Sequence, residues 1–176
     1  WQRYFTFLPA PFDGLGVQAN YTKLKNSGVK NANLIVDSDG GGTLARSAQS
    51  GMINAGRLEN LSDDAYNLIV MYEKGKVGAR IAYNWRSEYV SSVNDCCIGF
   101  PVWNDAEGFL DASFRYALTD HVELSVQGSN LLGTEVRIRQ QVAGPTDIAP
   151  NTQAKFMPAG WFEYDHRIQF GVRIKY

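Results

Sequence analysis

Long hydrophobic runs are what this chain lacks most plainly. A helix that crosses a bilayer needs about 18 or more consecutive apolar residues. The longest candidate here is Leu68-Ile69-Val70-Met71-Tyr72. That excludes a helical membrane protein but not a β-barrel, whose strands are only half apolar. Charge of one sign is scarce as well: 17 Lys and Arg face 18 Asp and Glu, a net charge of −1. No basic cluster with interleaved aromatics stands out, so nucleic acid is not an expected partner. Cysteine is confined to the adjacent Cys96 and Cys97, which cannot supply the spaced pairs of a disulfide or zinc framework. Histidine is confined to His121 and His166. Neither joins a Ser-His-Asp order or a pair of carboxylates, so no catalytic residue, metal, cofactor or enzymatic activity is expected. The opening Trp1-Gln2-Arg3 carries no initiator Met and no export signal, and the expectation is that an N-terminal part is missing.

What the chain has is alternation, clearest at its end. From His166 onward, Ile168, Phe170, Val172, Ile174 and Tyr176 share one parity, and Arg167, Gln169, Gly171, Arg173 and Lys175 share the other. Successive strand residues point to opposite faces, so one face is apolar and the other polar. An apolar/polar dyad closing on an aromatic residue suits a strand with lipid on one side and a wet lumen on the other.

The same period gives seven segments: about residues 1–8, 14–24, 65–73, 77–89, 108–116, 122–141 and 166–176. Connections near 9–13, 74–76 and 117–121 are short, while those near 27–60, 91–107 and 142–160 are long. Transmembrane barrels have short periplasmic turns and long external loops, which puts the C-terminus on the periplasmic side. Aromatic residues gather at the strand ends. Tyr72 and Tyr116 sit beside short turns, and Tyr66, Trp85, Tyr89 and Tyr164 lie toward the long loops, as in the aromatic girdles at the two lipid–water interfaces. The expected fold is all-β, an antiparallel transmembrane β-barrel. Single-chain bacterial barrels use an even number of strands, so seven strands read as the C-terminal piece of a larger barrel. A soluble antiparallel barrel or sandwich is the alternative, but it gives no reason for loop lengths to alternate.

Several stretches, in order, carry a family likeness. They are Gly14-Leu15-Gly16-Val17-Gln18-Ala19-Asn20-Tyr21-Thr22, Tyr66-Asn67-Leu68 with Tyr72-Glu73, and Arg80 followed by Tyr83-Asn84-Trp85-Arg86-Ser87. Leu110-Asp111-Ala112-Ser113, Asn130-Leu131 and the Gly171 to Tyr176 ending complete the series. Together they resemble the TonB-dependent outer-membrane receptors, in particular the subfamily often tied to carbohydrate uptake. The resemblance implies a barrel of about 22 strands around an N-terminal plug. Residues 1–176 would be its C-terminal part, with the plug domain and first part of the barrel absent. It implies an outer-membrane active-transport receptor that imports a scarce nutrient, an oligosaccharide or an iron chelate, with energy delivered through TonB. Implied partners are membrane lipid and lipopolysaccharide, the plug and remaining strands, TonB, the barrel assembly machinery and the small nutrient. It also implies an assembly signal in Phe170, Val172, Ile174 and Tyr176. A passive porin or structural barrel is the competing function.

Within that frame, Trp103 and Trp161 lie in or beside external loops, where indole faces can stack on sugar rings or aromatic chelates. Arg86, Arg137 and Arg139 are the lumen-facing cations nearest those loops and are candidates for ligand contact. Cys96 and Cys97 would form a disulfide of some kind, either a strained vicinal bridge or bridges to the missing part; a metal site is the remaining option. The acidic, Gly-rich Asp37-Ser38-Asp39-Gly40-Gly41-Gly42 hints at a calcium loop but lacks the closing Glu.

Overall fold

A computed structural model describes residues 1–29, 53–93, 100–146 and 148–175. Cys96, Cys97, Tyr176 and the Asp37–Gly42 stretch fall outside these residues. The described residues form β1 (Gln2–Tyr4), β2 (Leu15–Lys23), β3 (Asp64–Lys74), β4 (Val77–Arg86), β5 (Tyr89–Ser92) and β6 (Val102–Asn104). They continue through β7 (Glu107–Ala117), β8 (Val122–Ser129), β9 (Glu135–Ala143), β10 (Lys155–Glu163) and β11 (Arg167–Ile174). No α-helix occurs among the described residues; one 3-10 turn spans Phe12–Gly14. The class is all-β.

All pairings are antiparallel and fall into two sheets. The main sheet has seven strands in the order β1-β2-β3-β4-β7-β8-β11, and the second has four in the order β10-β9-β6-β5. Each strand of the second sheet continues one of the first: β4 runs into β5, β6 into β7, β8 into β9 and β10 into β11. The main sheet is open, with β1 and β11 as its edges.

The register turns sequence alternation into two distinct faces. One row runs Val17, Val70, Ile81, Ala112, Gly128, Ile168. The next runs Leu15, Tyr72, Ala79, Phe114, Val126, Phe170. Leu68, Val70, Ile81, Phe114, Tyr116, Leu124, Ile168, Phe170, Val172 and Ile174 on this face are all exposed, Phe170 to 81%. The opposite face carries Asn67, Asn84, Arg80, Asp111, Ser113 and Gln127 around a shallow hollow of about 350 Å³. On it, Arg115 pairs with Glu73, and Glu123 sits directly across from Arg173. Ile69 and Ala82 are buried within this polar face.

The short connections share one end of the main sheet. Gly75 and Lys76 alone join β3 to β4, with Gly75 at φ 55°, where glycine avoids the Cβ penalty. Residues 118–121 join β7 to β8, and the Lys175 N–H donates to the His121 carbonyl at 2.8 Å. The 5–14 connection is tied back by the Tyr72 hydroxyl donating to the Pro11 carbonyl at 3.0 Å and by Lys74 on Asp13 at 2.5 Å. That contact holds the Asp13 carboxyl below its usual range, chiefly through the lysine hydrogen bond. The second sheet attaches at the other end.

Asn130 marks the break between the sheets. It is 6% exposed and sits at φ 49°. Its N–H donates to Asp111 Oδ1 at 2.9 Å, its side-chain amide donates to the Tyr164 carbonyl at 2.8 Å, and its Oδ1 accepts the Thr134 N–H at 2.9 Å. A short polar side chain tolerates the left-handed region and satisfies the backbone groups that a broken ladder leaves open. Asn130 therefore ties β7, β8 and the β10–β11 link together.

Five sequence expectations change. The segment 77–89 is two strands, broken at Ser87 and Glu88, and 122–141 is also two, broken at 130–134. The long connection 91–107 contains strand β6, and β10 begins inside 142–160 and runs on to Glu163. The first segment shrinks to Gln2–Tyr4, because Phe5 to Leu8 turn, with the Leu8 N–H donating to the Phe5 carbonyl.

Candidate functional site

The second sheet holds the tightest packing among the described residues. Val90, Val93 and Trp103 form its core. Ile53 is also buried. The stretch 53–63 lies along the free edge of β5: the Asn60 N–H donates to the Val90 carbonyl, and Glu59 accepts the Val93 N–H, both at 2.7 Å. Trp103 is 6% exposed. Its indole N–H donates to buried Gln141 at 2.9 Å, the Arg57 guanidinium lies 5.4 Å above its ring, and Phe156 meets it edge-on at 5.7 Å. With its polar handle bonded and Arg57 and Phe156 against its ring, Trp103 is a buried core residue of the second sheet.

Arg86 is likewise committed elsewhere. Its Nε donates to the Ser62 hydroxyl at 2.9 Å and its Nη2 to the Asn60 carbonyl at 3.1 Å, and the guanidinium lies 3.7 Å over Tyr89. It fastens the 60–62 segment and is not among the residues lining the ligand-sized cleft below. Tyr89, expected in a girdle, belongs to the second sheet opposite Asn104 and is half-buried beneath Arg86. Burial first, and then the charge of Glu107, pushes its phenol pKa up.

Three of the expected ligand residues do come together. In the β9–β10 pair, Arg137 lies directly across from Trp161, Arg139 across from Pro158 and Glu135 across from Glu163. A register shift between Pro158 and Gly160 bends β10 here. Asp105, Glu135, Arg137, Arg139, Pro158 and Trp161 line an open cleft of about 430 Å³. Arg139 is the frame of this cleft. Its Nη2 donates to Glu88 at 2.7 Å, its Nε pairs with Asp105, and its guanidinium lies 4.7 Å over Phe156. One side chain thus joins the β4–β5 link, the β6–β7 link and β9. Arg137 makes a single 3.4 Å contact with Glu135 and is 69% exposed. Trp161 is 68% exposed. Sequence reasoning missed Pro158 and Asp105 as cleft residues. The run Phe156-Met157-Pro158-Ala159-Gly160 has no clean period of two, and its bulge hides the strand.

The remaining expected girdle residues lie at two levels. Tyr66 stacks on Trp85 at 5.1 Å in the row Tyr21, Tyr66, Trp85, at the end of the main sheet that meets the second. Tyr83 joins them, 5.9 Å from Tyr66. Tyr72 and Tyr116 lie near the short-turn end, and Tyr164 packs edge-on to Phe109 at 6.0 Å. Phe170, Val172 and Ile174 form one exposed face of the edge strand β11.

No helix among the described residues is long and apolar enough to cross a membrane, and none of them form a group of three potential metal ligands. These features define an open, two-sheet antiparallel β structure with a cleft in its second sheet. Set beside protein families, curated proteins and solved structures, the chain matches none of them.

Proposed function

We propose that the main sheet is part of the wall of an outer-membrane β-barrel and that the protein is an active-transport receptor driven through TonB. Seven strands would be about a third of a barrel of about 22. One observation carries the membrane part. A single face of the seven-stranded sheet exposes Leu68, Val70, Ile81, Phe114, Leu124, Ile168, Phe170, Val172 and Ile174, while the other face holds the Arg115–Glu73 ion pair and a group of amides. A water-soluble domain rarely leaves so large an apolar face open, whereas lipid covers it without cost. Two aromatic levels and a common end for the short turns support the same reading, with those turns and the end of β11 in the periplasm. The second sheet and its cleft would then stand outside the cell, where a scarce nutrient is captured. Transport energy would enter through a plug and TonB, and the nutrient would be an oligosaccharide or an iron chelate.

The test is fractionation of cells producing the protein, followed by gel mobility with and without boiling. A heat-modifiable band in the outer-membrane fraction is the expected result. Recovery in the soluble fraction without detergent would overturn the reading. Steady ion conductance of the purified protein in planar bilayers would replace active transport with a passive pore.

A further inference from the structure

We propose that the outer cleft binds a ligand through a cationic nitrogen, an ammonium group seated on the Trp161 indole. The inference takes the cleft as the ligand site of the receptor reading. It starts from a tile of four side chains on one face of the β9–β10 pair: Trp161 across from Arg137, and Glu163 across from Glu135. Residues two apart on a strand share a face, and diagonal neighbours lie about 7–8 Å apart, within reach of long side chains. Glu135 and Arg137, which line the cleft, and Glu163 beside it therefore all lie within side-chain reach of the indole.

The charges of this tile do not cancel. Two carboxylates face one guanidinium, which leaves one negative charge over. The neighbouring group does not compensate, because Arg139 already serves two carboxylates, Glu88 and Asp105. Like charges directly opposite each other on paired strands are unfavourable, and Glu135 and Glu163 are in that position. Arg137 relieves only part of this, through one 3.4 Å contact with Glu135.

The indole is the second half of the site. Trp161 is exposed at the cleft wall. Guanidinium groups sit over Phe7, Trp103, Tyr89 and Phe156, yet among the described residues none sits over Trp161. An aromatic face left without a cation, beside a surplus carboxylate, is the arrangement that holds an ammonium group. An anionic ligand group could reach Arg137, but it would meet Glu135, Glu163 and Asp105 around it. A bound ammonium would neutralise the tile and separate the two opposed glutamates.

The experiment uses the detergent-solubilised protein, first checked for heat-modifiable mobility so that loss of the barrel is distinguished from loss of the site. The Trp161 indole NMR signal, assigned with Trp161→Phe, is titrated with choline and, in parallel, with its neutral isostere 3,3-dimethylbutan-1-ol. Choline should shift the signal in a saturable way, and the neutral alcohol should bind at least about tenfold more weakly. Glu135→Gln with Glu163→Gln should weaken choline by about tenfold or more while heat-modifiable mobility is kept. Equal binding of choline and the alcohol would overturn the proposal, as would unchanged choline binding in the double variant. So would a saturable shift by acetate stronger than that by choline.

Discussion

Trp103 shows how far a residue's role depends on what surrounds it. A tryptophan in a stretch that reads as an external loop looks like a ligand platform. Here the side chain is buried, with its N–H on Gln141 and its ring against Arg57 and Phe156. Trp103→Ala should therefore cost about 3–5 kcal/mol and raise amide exchange across β6 and β9. Unaltered exchange would show that the second sheet does not depend on this side chain. Asn130 is the opposite case, a polar residue whose sequence gives little hint of its work beyond the Asn130-Leu131 likeness. Asn130→Ala should cost about 1–3 kcal/mol by stranding the Thr134 N–H and the Tyr164 carbonyl. Asn130→Gly keeps the positive φ and loses only the side-chain bonds. If the glycine variant were fully stable, the bonds would not matter. Asp13 supplies a pH test in a turn. Its carboxyl is held low by Lys74, so its contribution is present above the ordinary carboxylate range and fades as pH falls through the lowered value. Acid should loosen the 9–14 turn in the parent protein, and Lys74→Gln should remove that part of the acid response. Identical acid profiles for amide exchange in the turn would contradict the pairing.

At the level of elements, strands of the main sheet were legible because one face is apolar and the other polar, the condition under which a period of two survives in sequence. β3, β4, β7, β8 and β11 all start or stop within a few residues of the alternating segments. The second sheet was not legible. β6 has three residues, and β10 carries Pro158, Gly160 and a bulge. The breaks at Ser87 and Asn130 were hidden because alternation resumes on the far side of each. The candidate site was half legible: Trp161, Arg137 and Arg139 were in the expected set, but the strand that brings them together was not. Close packing between elements gives another test. A Cβ on Gly14 would stand 2.7 Å from the Glu73 carbonyl oxygen, whereas one on Gly160 would meet nothing within 4 Å. Gly14→Ala should lose about 1–3 kcal/mol as the turn is pushed off β3, while Gly160→Ala should stay within about 0.5 kcal/mol. Equal thermal midpoints for the two variants would show that the turn does not seat on β3 as described.

On the scale of the whole molecule, an unsupported sheet of this kind has two problems: unpaired edges at β1 and β11 and an apolar face without cover. Closure into a larger barrel removes the first, and lipid removes the second. In such a barrel the polar face would line a wet lumen, where Arg115 pairs with Glu73 and Glu123 sits across from Arg173. The measurement that tests this most directly places single nitroxide labels on the two faces of the protein in native membranes. Sites Ile81, Phe114 and Val126 sample one face; Ser113 and Gln127 sample the other. Collision rates with oxygen and with a water-soluble nickel chelate are then compared. A barrel wall predicts oxygen-rich, chelate-poor contact at Ile81, Phe114 and Val126 and the reverse at Ser113 and Gln127. High chelate contact on both faces would contradict a lipid-covered sheet and return the chain to the water-soluble β proteins.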